Sequence, residues 1–204
     1  MQPFLTLTSI AAPLIRDNVD TDAIIPSREM KSVSKSGLAE GLFAGWRYTD
    51  VDARVPNPEF VLNRPEYQGA RILLGGANFG SGSSREHAVW ALAEYGFRAV
   101  IAAGFSPIFR GNCIRNGILP VVLPPEPFAQ AGLVLEIDLP AQQIRAGGET
   151  WRFAIDEEAK LMLTEGLDPI ALTLLDRAAI DAHEHADRGQ RPWAWSVLPE
   201  GEHA

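Results

Sequence analysis

The chain has 204 residues, of which 46% are apolar and 22% are charged, and its formal net charge is −8. This composition is ordinary for a soluble globular protein, and the length allows one substantial hydrophobic core. The negative charge and the lack of a lysine or arginine cluster argue against nucleic acid or an anionic membrane as the main partner. They leave an anionic small substrate possible, since a few local cations can override the overall charge.

The sequence predicts a protein of the cytoplasm. No stretch approaches the roughly 20 apolar residues that span a bilayer. The first residues lack a basic leader, and Asp17, Asp20 and Asp22 follow soon after, so we expect no signal peptide. A single cysteine, Cys113, excludes an intrachain disulfide and suits a reducing compartment.

The single cysteine also limits the metal sites that the chain can build. One thiol cannot build a cysteine-ligated iron–sulfur cluster or a structural zinc site. His183 and His185 are two positions apart, which places them on different sides of a helix. We therefore expect no metal bound by this chain, and we expect Cys113 to be a partly buried structural thiol.

The first elements in chain order are weakly defined. Apolar and polar residues alternate through residues 4–8, which predicts a strand. Residues 17–26 form a turn-rich passage that Pro26 closes. Residues 27–45 have mixed polarity and three recurring glycines, so we expect a mobile loop with short helical turns.

The middle of the chain alternates clearly between strand and helix patterns. The sequence predicts strands at 71–74, 98–103 and 118–123, a glycine-rich loop at 75–82, and helices at 86–95 and 106–116. Gly96 is expected to stop the first helix. This alternation predicts a parallel sheet whose helices are right-handed crossovers.

The pattern changes after Pro124 and Pro125. The sequence then predicts antiparallel strands at 133–139 and 150–155 with a turn at Gly147 and Gly148, a helix at 168–187, and a tail at 188–204. No internal repeat or linker is evident, so we predict one domain over residues 1–204. The fold class expected is α/β, with a central parallel sheet, crossover helices and additional antiparallel strands.

The segment from Asn78 to His87 is the strongest candidate for chemistry. It lies between a predicted strand and a helix N-terminus, where open α/β sheets bind ligands and where backbone N–H groups favour an anion. Gly82 lets the backbone approach a bound group, and Arg85 offers a planar fork that suits a carboxylate. The segment lacks the Gly-Lys-Ser/Thr ending of a P-loop and the third glycine of a dinucleotide fingerprint.

A structural interpretation of the same segment competes with the functional one. Ser83 and Glu86 have the spacing of a capping box, in which the serine caps a helix and does nothing else. Spacing alone does not separate capping from ligand binding.

Several motifs resemble the swivelling domain of the aconitase family. The run Asn-Phe-Gly-Ser-Gly-Ser-Ser-Arg-Glu-His-Ala at 78–88 is similar to that family's signature, and residues 18–26 are similar to its other hallmark. Residues 41–48 and 57–63 resemble the small subunits of bacterial isopropylmalate dehydratases in particular. These motifs cover most of residues 15–125, and they imply the family's β/β/α swivelling domain.

The resemblance implies roles for the loop. The first serine of the triplet, Ser83, would act as an alkoxide base that removes a proton alpha to a carboxylate. Arg85 would hold a substrate carboxylate, and Ser84 would hydrogen-bond to it.

The resemblance also implies roles outside the triplet. Asp22 matches an aspartate near the family's active site. His87 owes its expected role to its position directly after the triplet: it could contact the substrate, but we expect it to orient the loop from the first helical turn. Arg28 and Lys31 lie in the segment that would close over the substrate and select its side chain.

The family's chemistry also needs a Lewis acid that polarises the leaving hydroxyl. The resemblance places it in a [4Fe–4S] cluster on a large partner subunit, and this chain would be inactive alone. The expected reaction interconverts 2-isopropylmalate and 3-isopropylmalate through a dehydrated intermediate in leucine biosynthesis. Two alternatives stay open: a related hydro-lyase subunit for citraconate, methylcitrate or homocitrate, and a stand-alone anion-binding module.

Overall fold

The structure is a computed structural model that describes residues 1–30 and 34–195. The strands in these residues are β1 (Thr6–Pro13), β2 (Tyr48–Asp50), β3 (Val55–Pro56), β4 (Ile72–Gly75), β5 (Ala99–Ala102), β6 (Leu119–Val122), β7 (Val134–Asp138), β8 (Gln143–Ala146) and β9 (Glu149–Arg152). The α-helices are α1 (Thr21–Ile24), α2 (Ala44–Arg47), α3 (His87–Tyr95), α4 (Pro107–Arg115), α5 (Glu157–Glu165), α6 (Pro169–Thr173) and α7 (Arg177–Gln190). Short 3-10 turns lie at Ser27–Glu29, Ala39–Gly41, Val61–Asn63, Pro65–Tyr67, Glu126–Phe128, Leu174–Asp176 and Pro192–Ala194.

The central sheet is mixed, with a parallel half and an antiparallel half. Its strand order is β6-β5-β4-β1-β7-β8-β9. Strands β1, β4, β5 and β6 run parallel to one another, whereas β1 pairs with β7 in the antiparallel sense. A separate two-stranded sheet joins β2 and β3. The predicted α/β fold, with a parallel sheet and additional antiparallel strands, is confirmed.

The parallel half follows directly from sequence. Every residue of β4 and β5 is buried, and such continuous apolar runs are typical of strands covered on both faces. Helix α3 lies between β4 and β5 in the chain, and α4 lies between β5 and β6. Gly96 ends α3 at a φ of +115°, and its N–H donates to the carbonyls of Ala93 and Leu92, so the predicted glycine stop is confirmed.

The antiparallel half differs from the prediction in one strand. An additional strand, β8, lies between the two predicted ones and pairs with both. The turn at Gly147 and Gly148 therefore joins β8 to β9, and it does not join the two predicted strands. The short run Gln143–Ala146 alternates intermediate, buried and exposed positions, and four residues are too few for that period to stand out from the preceding loop.

The chain groups into two compact units, Met1–Asp168 and Pro169–Ala204. In the second unit the predicted helix at 168–187 is interrupted: α6 and a 3-10 turn precede α7. The predicted tail boundary at residue 188 falls inside α7. Beyond the helix, the Trp195 indole N–H donates to the Asp187 carboxylate of α7 at 2.9 Å. None of the residues 169–195 is buried. The assignment of residues 1–204 to one domain stays a prediction.

The segment at 27–45 has more anchors than its composition suggests. Leu38, Leu42 and Phe43 are buried, so apolar side chains anchor the second half of the segment although its overall polarity is mixed. At its start, Glu29 pairs with Arg54 at 2.5 Å, and the Glu29 side chain is only 8% exposed. The mobility of the segment stays a prediction.

Candidate active site

The glycine-rich loop leaves the carboxyl end of β4 and lies against the passage that follows β1. Asn18 N–H donates to the carbonyl of Ala77 at 2.8 Å, Gly80 N–H donates to Val19 at 2.7 Å, and Thr21 N–H donates to Ser81 at 2.9 Å. Two motifs that are 62 residues apart in the chain, as measured from Thr21 to Ser83, therefore lie side by side.

Side chains of the first motif reinforce this pairing. The Asp17 carboxylate accepts from Ala77 N–H at 2.7 Å. The Thr21 hydroxyl is buried and donates to the Ser83 carbonyl at 3.0 Å. Thr21 thus fixes the backbone of the candidate base. The residue pattern indicates no role for Thr21, because a pattern of residue types does not report a contact across 62 positions of the chain.

The loop glycines serve packing as well as close approach. Gly80 has a φ of +74°, and a Cβ there would clash with the Phe109 ring. Gly82 has a φ of +84° and faces Asp20, whose Cβ would lie 3.4 Å from a Cβ added at Gly82. A side chain at either position would be strained. Gly80 therefore allows the loop to pack closely against Phe109 of α4, and the positive φ of Gly82 sets the direction of the chain just before Ser83.

Ser83 and Ser84 are both exposed. Among residues in the described ranges, the Ser83 hydroxyl has no hydrogen-bond partner and Ser84 makes no hydrogen bond at all. Both hydroxyls are therefore open to a ligand.

The capping interpretation of Ser83 is wrong. Helix α3 begins at His87, the N-cap position is Glu86, and no side chain caps the helix. Glu86 has helical backbone angles, φ −68° and ψ −25°, and its carboxylate accepts from the Asn116 amide at 2.7 Å. Because Asn116, at the end of α4, holds Glu86 in this way, the reciprocal bonds of a capping box do not form.

Arg85 is paired with Asp22 on α1. Its Nη1 donates to Asp22 Oδ1, and the Arg85 side chain is 25% exposed. Within the described part of the chain, the remaining guanidinium nitrogens have no other partner. The pair brings Asp22 to the loop, and it orients a guanidinium fork that keeps donors for a carboxylate. A catalytic or binding role for Asp22 stays a prediction.

His87 packs against Trp90 one turn along α3, with 4.6 Å between ring centroids. Its ring makes no hydrogen bond to the residues that the structure describes. The Trp90 indole donates to Asn116 at 3.1 Å, so Asn116 supports this first turn at both Glu86 and Trp90. An orienting role for His87 stays a prediction.

The remaining predicted residues are less closely tied to the loop. The Arg28 side chain is half-exposed, and its Nε lies 3.7 Å from Glu29 Oε1. Among the described residues, no hydrogen bond or ion pair joins Arg28 to the Ser83–Arg85 loop. Lys31 lies outside the described residues.

The residues of this chain do not fit an iron–sulfur cluster. Across residues 1–30 and 34–195, no group of three or more His, Cys, Asp or Glu side chains is placed to hold a metal ion. Cys113 is fully buried in α4, which corrects the expectation of partial burial, and burial raises the pKa of its thiol. A thiol of this kind is a poor metal ligand, since the thiolate is the form that binds.

Across residues 1–30 and 34–195, no helix is both long and apolar enough to cross a membrane.

The chain is similar to known proteins over most of its length. The family model described as the aconitase C-terminal domain matches residues 1–126, and the model LeuD_N matches residues 128–157. The 3-isopropylmalate dehydratase small subunit of Cupriavidus necator is 55% identical over 95% of this chain and 98% of its own length. That of Magnetococcus marinus is 49% identical over 96% of this chain and 99% of its own length.

A solved structure is also similar. The crystal structure of 3-isopropylmalate dehydratase from Methanocaldococcus jannaschii has a TM-score of 0.66 and 27% identity, over 88% of this chain and 99% of that one. The chain therefore belongs to the aconitase C-terminal domain family and, within it, to the small subunits of 3-isopropylmalate dehydratase.

Proposed function

We propose that this chain is the small subunit of a hydro-lyase that interconverts 2-isopropylmalate and 3-isopropylmalate through a dehydrated intermediate in leucine biosynthesis. The observation that carries the proposal is the Ser83-Ser84-Arg85 loop. Its two hydroxyls are exposed and without partners among the described residues, and its guanidinium is oriented by Asp22. The chain is 55% and 49% identical to two dehydratase small subunits over nearly its full length. This similarity favours isopropylmalate over related hydroxy acids as the substrate, and it favours an enzyme subunit over a stand-alone anion-binding module.

In this proposal Ser83 is the base. Its alkoxide takes a proton from the carbon alpha to a substrate carboxylate, and the electron pair of that C–H bond forms the new double bond. The C–O bond on the adjacent carbon breaks, and the leaving hydroxyl takes up a proton from solvent and departs as water. Return of water with the opposite regiochemistry gives the isomer. A serine hydroxyl is a weak base alone, so the alkoxide depends on nearby positive charge and on the N-terminus of α3. Arg85 supplies that charge two positions away.

Arg85 and Ser84 bind the substrate. The free donors of Arg85 match one carboxylate in a two-pronged contact, and the Ser84 hydroxyl adds a hydrogen bond. We place Arg28 and Lys31 near the substrate side chain, in the segment that follows Ile25 and Pro26.

The large subunit completes the enzyme. We propose that it carries the [4Fe–4S] cluster, which supplies Lewis-acid chemistry at the leaving hydroxyl, and that the assembly is cytoplasmic. The single buried thiol of this chain supports that division of labour.

The purified chain is expected to be colourless and free of iron, because one thiol cannot hold a cluster. Mixed with the large subunit, it should elute from a size-exclusion column as a complex. The measurements are an absorption spectrum, iron and sulfide analysis, and the elution volumes of the two chains together and apart. Stoichiometric iron and sulfide in the isolated chain, or two chains that elute separately, would overturn the two-subunit proposal.

Arg85→Lys is expected to weaken substrate binding in the assembled enzyme. Lysine keeps the charge but loses the two-pronged contact, and hydrogen bonds to charged groups contribute about 1.5–3 kcal/mol, or roughly a 10- to 100-fold rise in KM. Steady-state kinetics measure the change, with Arg145→Lys as the control. Arg145 pairs with Glu136 at 2.8 Å across β7 and β8, away from the loop. An unchanged KM for Arg85→Lys would remove Arg85 from the binding site.

A further inference from the structure

Lys35 is a cation held beside the active-site loop. Its ammonium lies 5.2 Å from the centroid of the Trp90 ring, and Trp90 contacts His87, which is two positions beyond Arg85. Lys35 is exposed, and no carboxylate among the described residues pairs with it. An aromatic face attracts an ammonium without neutralising it, so its N–H donors remain available.

The backbone that follows Lys35 is fixed by the same helix. The Glu94 carboxylate accepts from three consecutive N–H groups: Gly37 at 2.6 Å, Leu38 at 2.5 Å and Ala39 at 2.9 Å. The hydrogen bond from Gly37 is the largest cause that lowers the pKa of Glu94, followed, after an opposing effect of burial, by those from Leu38 and Ala39. Glu94 and Trp90 are one turn apart on one face of α3. This face therefore holds both the lysine and the segment after it.

The substrate class of the proposed function has two carboxylates. Arg85 is suited to one of them, and part of its guanidinium is already engaged by Asp22. Arg28, another cation of the 27–45 segment, lies near Glu29. Lys35 is therefore a cation of this segment that both contacts α3 next to the loop and has no carboxylate partner in the described ranges.

We propose that Lys35 is a substrate-binding residue that takes the second carboxylate of the dicarboxylate substrate, and that Trp90 and Glu94 position it. The inference rests on the proposed function. It assigns the two carboxylates of one substrate to two cations, Arg85 just before α3 and Lys35 on the segment that α3 holds. Specificity for a dicarboxylate over a monocarboxylate follows from that pairing.

The test uses the complex assembled with the large subunit. Lys35→Met is expected to raise the KM for 2-isopropylmalate about 10- to 100-fold, the size of a hydrogen-bonded charge contact, with kcat changed less than about threefold. Lys35→Arg should restore most of the loss. Arg145→Met removes one positive charge from a surface ion pair and should leave both constants unchanged.

Competitive inhibition separates a carboxylate contact from a structural role. Succinate should lose affinity for the Lys35→Met complex, whereas propionate, which has one carboxylate, should lose much less. A KM unchanged by Lys35→Met, or equal losses for succinate and propionate, would overturn the assignment. Failure of the unmodified complex to turn over isopropylmalate would instead overturn the proposed function, so the two failures are distinguishable.

Discussion

Ser83→Ala is expected to lower kcat of the assembled enzyme by about 10²- to 10⁴-fold, the usual contribution of a positioned general base. Alanine removes the only group of the loop triplet that is assigned to proton abstraction, and it leaves Arg85 and Ser84 in place. KM should therefore change little. Steady-state kinetics with a saturating large subunit measure both constants.

Stability provides a second readout of the same variant. Loss of a serine cap would cost about 0.5–2 kcal/mol of unfolding free energy. Ser83 does not cap α3, so Ser83→Ala should stay within about 0.5 kcal/mol of the unmodified chain, as is usual for surface substitutions. Urea unfolding followed by circular dichroism measures the difference.

The matched control is Ser106→Ala. Ser106 occupies the N-cap position of α4 but makes no side-chain capping bond, so this variant should keep near-normal turnover. A Ser83→Ala complex that also turns over at a near-normal rate would require a different base.

The parallel half of the fold was predictable because each of its signals is local. Strands β4 and β5 are uninterrupted apolar runs, and Gly96 supplies the positive φ that ends α3. These features depend on a few neighbouring residues. The prediction therefore placed the elements to within about two residues, the usual uncertainty of element boundaries.

The elements whose structure differs from the prediction depend on contacts with residues far away in the chain. β8 is stabilised by partners on both sides, and its alternating pattern is only four residues long, which is too short to stand out from the preceding loop. Leu38 and Phe43 are buried by tertiary packing, although their segment is rich in glycine and polar residues. In both cases packing overrides the local composition.

The candidate loop was predictable as a location, but its internal contacts were not. A strand, a glycine-rich turn and a helix start indicate the site. The capping-box spacing, however, also predicted a bond that the Asn116 contact with Glu86 prevents. The pairings of Asp22 with Arg85 and of Thr21 with Ser83 join segments that are more than 60 residues apart. The family resemblance brought both motifs together, but the residue pattern alone did not.

The proposed division of the active site between two chains has the largest expected consequence. This chain supplies the proposed base and the carboxylate-binding groups, and its one buried thiol cannot supply the cluster. In the proposed function, neither chain holds all the groups that the reaction needs. Turnover is therefore expected only when the large subunit is present. The rate should rise as the large subunit is added and reach a plateau when every small subunit is bound.

The most direct test is the turnover of 2-isopropylmalate by the chain alone, by the cluster-loaded large subunit alone, and by the mixture. The measurement follows the dehydrated intermediate by its ultraviolet absorption and the isomer by chromatography. We expect no product from either chain alone and formation of 3-isopropylmalate by the mixture. Turnover by the isolated small chain, or an inactive mixture of folded, cluster-loaded partners, would contradict this expectation.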